Sequence, residues 1–183
     1  MTIAYDVTPA DAHAWHCYYV KLPSVVQLFR RQGFLVAWLS GGMMTVLFLA
    51  TSRDVRVSAI AGLVTFTVMW ALMSFLIPRQ TVRRADRALN ATKASPTLGQ
   101  HTLEAGPQSI TETGDYYALT VRWEAVKFVE RADDYLFILL HTQSSIIVPL
   151  RFLPSVEAQD EFVKTMKDWF TAARKESEAS SPA

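Results

Sequence analysis

The chain has 183 residues, half of them hydrophobic, and its charges nearly balance at a formal net +1. That balance excludes the basic excess that nucleic-acid binding needs, and Cys17, the only cysteine, excludes an internal disulfide framework. Residues 1–25 lack a basic start followed by an apolar stretch and a small-residue cleavage site, so no cleavable signal peptide is expected.

Residues 1–32 read as an N-terminal cytoplasmic segment with a strand and an amphipathic helix. "IAYDV" alternates like a short strand, and Thr8-Pro9-Ala10-Asp11 has the cap, first-turn proline and following acid of a helix start. On that helix His13, His16 and Cys17 can share a face, a spacing compatible with a metal. A further ligand would have to come from His101, His141 or a distant carboxylate. The simpler expectation is an aromatic-rich packing face, Trp15-His16-Cys17-Tyr18-Tyr19, with no metal and no other cofactor.

Two uncharged runs follow, "GFLVAWLSGGMMTVLFLAT" (33–51) and "VSAIAGLVTFTVMWALMSFLIP" (57–78), separated by the charged knot Ser52-Arg53-Asp54-Val55-Arg56. As helices they would be about 28 and 33 Å long, enough to cross a hydrocarbon core of roughly 30 Å. Buried helices of a soluble bundle normally keep a polar stripe. These runs offer only hydroxyls, among them Ser40, Thr45, Ser58, Thr65, Thr67 and Ser74. Such groups can bond to their own helix's carbonyls at little cost in lipid. Two antiparallel transmembrane helices are expected, with 52–56 as the outer turn.

Lys21, Arg30 and Arg31 precede the first run, and Arg79, Arg83, Arg84, Arg87 and Lys93 follow the second, against Arg53 and Arg56 in the knot. Lys/Arg excess marks the cytoplasmic side, so both termini are expected there. Gly33, Ala37, Gly41 and Thr45 recur every fourth residue, a small-residue face for close helix approach. Ser58 and Gly62, or Ala61 and Thr65, offer a matching face. Packing within the hairpin is favoured, with a homodimer as the alternative. A channel or transporter is poorly supported, because no ionisable residue interrupts either run.

Residues 79–96, "RQTVRRADRALNATKA" with its flank, continue as a basic juxtamembrane helix or linker. Arg83, Arg84 and Arg87 could hold anionic headgroups at roughly 1 kcal/mol per charge, or serve only as topology signals.

From 97 to 174 the period changes to short strands between turn signals. "GQHTLEA" and "QSITET" flank Gly106-Pro107, and "DYYALTVR", "EAVKFVER", "DYLFILLH" and "SSIIVPLRF" follow, with Ala132-Asp133 and Thr142-Gln143 as turns. About six strands at this spacing predict a small antiparallel sandwich or open barrel. Ser155 then caps an amphipathic helix whose Phe162, Val163, Met166, Trp169, Phe170 and Ala173 recur at helical spacing. Residues 175–183, "KESEASSPA", read as a disordered tail. The whole is an α+β membrane protein.

Neither a nucleophile motif nor a phosphate-cradling glycine loop is visible, and no enzymatic activity is expected. Asp133-Asp134 fits a hairpin turn better than a carboxylate dyad. Trp123 fits a core or hairpin-packing residue, with an exposed binding anchor as the alternative, and Arg151 could support a site from a strand end. Trp123, Asp134 and Arg151 are the candidate binding residues.

Leu119-Thr120-Val121-Arg122-Trp123-Glu124-Ala125-Val126, then Glu130 with Asp134-Tyr135-Leu136, then Ile146-Ile147-Val148-Pro149-Leu150-Arg151-Phe152 before an amphipathic helix, resembles the YcxB-like family of bacterial membrane proteins. Gly99-Gln100-His101-Thr102-Leu103 is similar to that family's opening strand. The departures are Leu150 where a basic residue is usual, with Arg151 one place later, and Glu124 where Ser or Asp is commoner. The resemblance implies an N-terminal segment, two spans and a C-terminal pleckstrin-homology-like domain at the bacterial inner membrane, with little about activity. The expected function is binding of an unidentified protein partner at the lipid bilayer. An immunity factor neutralising a toxin and an anionic-lipid headgroup sensor are the alternatives; against the last, the hairpin around "LEAGPQSITE" carries no Lys or Arg.

Overall fold

The computed structural model describes residues 1–52, 54–91, 98–142 and 144–180. The expectations placed on Arg53, Lys93, Gln143 and the rest of 92–97 lie outside the described residues. The chain forms two compact units, Met1–Trp15 with Leu89–Ala183, and His16–Ala88.

The first unit begins with β1 (Thr2–Val7), whose alternation buries Ile3, Tyr5 and Val7. β1 pairs antiparallel with β2 (Gly99–Ala105), Ile3 opposite Leu103 and Tyr5 opposite His101. β3 (Ser109–Gly114) and β4 (Ala118–Arg122) complete a sheet of order β1-β2-β3-β4. The N-terminal strand is therefore part of the strand domain, which corrects the expected domain of 97–174: its first strand comes from the other end of the chain. A second antiparallel sheet holds β5 (Val126–Ala132), β6 (Tyr135–Leu140) and β7 (Ser145–Pro149) in that order. Trp123–Ala125 is a 3-10 turn between the sheets, where a longer strand "EAVKFVER" was expected.

Leu103, Ile110, Leu136, Ile138, Val148 and Leu150 are fully enclosed between the sheets. β6 reads as an unbroken apolar run because both its faces are covered: Leu136, Ile138 and Leu140 join the shared core, while Phe137 meets the Trp15 ring with centroids 5.1 Å apart. Trp15 belongs to α1 (Pro9–Tyr19). The β5–β6 turn is Asp133-Asp134, one residue later than expected, since Ala132 pairs with Tyr135. Asp133 takes φ 50°, a left-handed conformation that Asp tolerates better than most residues.

The C-terminal helix, α4 (Val156–Ser180), starts where the Ser155 hydroxyl accepts the Ala158 amide at 3.2 Å. It lays Phe162, Val163, Met166 and Ala173 on the core. Burying three large side chains of this kind contributes on the order of 6 kcal/mol before entropy. The helix continues through Ser180, which corrects the expected tail over 175–180. Lys, Glu and Ala are good helix formers without an apolar face, and Arg174 reaches Glu178 one turn on.

The second unit holds two long helices, α2 (Pro23–Ser52) and α3 (Val55–Ala91). α2 starts ten residues earlier than the apolar run (Pro23 against Gly33), with proline in the first helical position, where its missing N–H costs nothing. α3 does not stop at Pro78 but passes through it. The proline removes the bond to the Ser74 carbonyl, yet the helix resumes at once, and the Thr81 hydroxyl bonds the Ile77 carbonyl at 2.9 Å. The apolar run and the basic segment after it are thus one helix.

Candidate functional site

The seam of the hairpin is built from the four-residue repeat. Val25, Phe29, Gly33, Ala37 and Gly41 are the buried residues of α2. A Cβ on Gly41 would lie 2.9 Å from both the Gly62 carbonyl and the Phe66 Cβ, and one on Gly62 would lie 1.8 Å from the Thr45 hydroxyl oxygen. Gly33 sits against Met73 and Ser74. Gly33, Ala37, Gly41 and Thr45 thus lie along the contact between α2 and α3, which run antiparallel. The hydroxyls of Ser40, Thr45, Ser58 and Thr67 each bond a carbonyl one turn earlier.

Away from the seam the helices present apolar side chains outward. Trp38, Leu39, Met43, Val46, Leu63 and Val68 are each at least 60 % exposed. In the most apolar 18-residue windows, 17 % of α2 and 6 % of α3 is buried within the chain. A core helix of a soluble protein would be mostly enclosed. Both helices are long and apolar enough to cross a membrane.

At the end where α2 begins, Arg30, Arg31, Arg79, Arg83, Arg84 and Arg87 are exposed. The Arg79 guanidinium lies 3.5 Å over the Phe75 ring, holding charge beside the apolar surface. Asp86, the acid of this region, bonds His16 at 3.0 Å.

In the strand domain, Asp11 is 1 % exposed and ionically clamped. Thr8 caps α1, and its amide and hydroxyl both donate to Asp11 Oδ2 at 2.8 Å. Arg151 reaches both carboxylate oxygens, at 2.6 and 2.7 Å, and the Tyr135 hydroxyl donates to Oδ1 at 2.9 Å. Burial alone would raise the Asp11 carboxyl, but the bonds from Arg151, Thr8 and Tyr135 outweigh it and hold it well below the usual carboxylate range. Arg151, one of the expected binding residues, is thus engaged with Asp11 and with the Asp6 carbonyl at 3.3 Å.

A second polar cluster joins the strands of the first sheet. Tyr5 and Tyr117 donate to the two oxygens of buried Glu112 at 2.8 and 2.6 Å. The buried His101 ring stacks on Tyr5, with its Nδ1 3.7 Å from Glu112. Burial and the Glu112 carboxylate push both tyrosine hydroxyls far above their usual range.

Trp123 is 1 % exposed, donates its indole N–H to the Gly106 carbonyl at 2.8 Å and packs beside Trp169. Trp123 is thus enclosed in the core, the first of its two expected readings, and is not the exposed anchor that was the alternative. Asp134 is exposed in its turn, and its carbonyl accepts the Leu150 amide. Trp123 is enclosed while Asp134 and Arg151 are exposed, so the three do not share one surface. β4 is an open edge: among the described residues it pairs only with β3, and Ala118, Thr120 and Arg122 are exposed along it.

Residues 106–166, from the β2–β3 turn to the middle of α4, match a family model described as YcxB-like protein. The chain carries a YcxB-like domain. The match includes Trp123, Asp134 and Arg151, but β1, Asp11 and both long helices fall outside it. No curated protein and no solved structure matches the chain.

The clamp and the tyrosine cluster were not legible in advance. Asp11 shows locally only as the acid of a capping box, and its partner is 140 positions away. The burial of Glu112 depends on β1 docking beside β2. The one local signal was the alternation of "IAYDV", which predicts a strand but not its neighbour.

Proposed function

We propose that the chain is a non-enzymatic anchor of the bacterial inner membrane. In this reading α2 and α3 cross the bilayer, both termini lie in the cytoplasm, and the YcxB-like domain, of pleckstrin-homology-like type, binds a protein partner at the membrane surface. The observation that carries it is the outward apolar surface of the hairpin, which needs a hydrocarbon surrounding. The positive-inside bias supports the orientation: Lys21 and the arginines flanking the hairpin outnumber Arg53 and Arg56 of the connecting turn.

Partner binding is assigned to the edge of β4. A five-residue edge with unpaired main-chain groups suits an extended peptide from the partner, added as a further strand. Exposed Tyr116 beside it offers an aromatic contact. A photo-crosslinking residue at Thr120 tests this in native membranes, against the same residue at exposed Lys164 on α4. The reading predicts a discrete protein adduct from Thr120 and none from Lys164. Equal products from both positions, or none from Thr120, would overturn it.

A further inference from the structure

A groove of about 460 Å³ opens beside the hairpin, lined by Gln27, Arg30, Arg31, Phe34, Leu35 and Trp70. Its walls are chemically divided. Phe34, Leu35 and Trp70 are exposed apolar surface, while Arg30 and Arg31 stand one turn nearer the start of α2. Neither arginine makes an ion pair among the described residues. The acids of this helical unit are Asp54, at the opposite end of the hairpin, and Asp86, which bonds His16.

Counting back from Ser52, a hydrocarbon core of roughly 30 Å takes about 20 residues, which reaches Gly33. Arg30 and Arg31 then stand at headgroup depth, and Phe34, Leu35 and Trp70 lie among the upper acyl segments. Adjoining it, a groove of about 420 Å³ shares Leu35 and carries Gln32, Gln80 and Arg84 at its polar end. An apolar wall alone would accept any acyl chain. Two unpaired guanidiniums above it select a negative headgroup, because guanidinium meets phosphate oxygens in a paired, charge-assisted geometry.

We infer that the groove between Arg30, Arg31 and Trp70 is a binding site for an anionic phospholipid, its phosphate on the arginines and an acyl chain along Phe34, Leu35 and Trp70. The inference rests on the hairpin lying in the bilayer. It assigns lipid recognition to the helical hairpin and not to the YcxB-like domain.

The test uses the full chain in vesicles containing a small fraction of brominated lipid, either phosphatidylglycerol or phosphatidylcholine, with quenching of Trp70 taken as the difference from Trp70→Phe. The expected result is about a thirtyfold preference for the anionic lipid, from two cations at about 1 kcal/mol each. Arg30→Gln with Arg31→Gln should bring the ratio close to one. Arg83→Gln with Arg87→Gln removes equal charge outside the groove and should leave the preference in place. Equal quenching by the two lipids in the parent, or equal loss in both double variants, would overturn the site while leaving the membrane hairpin standing. Quenching by neither lipid would overturn both.

Discussion

Arg151 and Asp11 join a helix cap to the far end of the second sheet, and the asymmetry of their exposure decides how each substitution behaves. The Asp11 side chain is 1 % exposed and the Arg151 side chain 43 %. Arg151→Ala would leave a buried carboxylate with only Thr8 and Tyr135 donating to it, so a loss of about 3 kcal/mol is expected, read by chemical denaturation of the full chain in detergent. Tyr135→Phe removes one bond of several and should cost about 1 kcal/mol. The pH dependence follows from the lowered carboxyl. With its folded value below its unfolded one, Asp11 contributes stability fully present above about pH 4, lost as pH falls toward the folded value. In Arg151→Ala that acid-side fall should be shallower; an unchanged slope would show that the clamp does not govern it.

Two glycines of the hairpin look alike in the sequence and differ in surroundings. Gly62 has Thr45 in the space a Cβ would take, whereas Gly42 has nothing within 4 Å. Gly62→Ala must push α2 and α3 apart and is expected to cost about 1–3 kcal/mol. Gly42→Ala should be neutral or stabilising by about 0.5–1 kcal/mol, from helix propensity alone. Thermal unfolding in detergent distinguishes them, and equal effects would contradict the seam. Periodicity made this face legible in advance, because a four-residue repeat of small side chains is a local pattern. The ends of elements were less legible. α4 runs on after its apolar stripe ends because Lys and Glu sustain a helix on propensity alone, and α3 passes Pro78 because one missing N–H does not end a long helix.

At the scale of the molecule, the order of elements could be read from the chain: an N-terminal strand and helix, two apolar helices, a run of short antiparallel strands and an amphipathic helix. The return of β1 to pair with β2 could not, since the partners are separated by the whole hairpin and nothing local encodes the pairing. The same distance hid the Asp11–Arg151 clamp and the burial of Glu112. Residue patterns report an element's own faces; they do not report which distant element covers them. The central claim is that the apolar surface of α2 and α3 is covered by lipid, with the turn at Asp54 outside. The most direct measurement is labelling of Asp54→Cys, in a Cys17→Ser background, by a membrane-impermeant maleimide in spheroplasts. Labelling of intact spheroplasts is predicted; labelling that appears only after the inner membrane is opened would contradict the account.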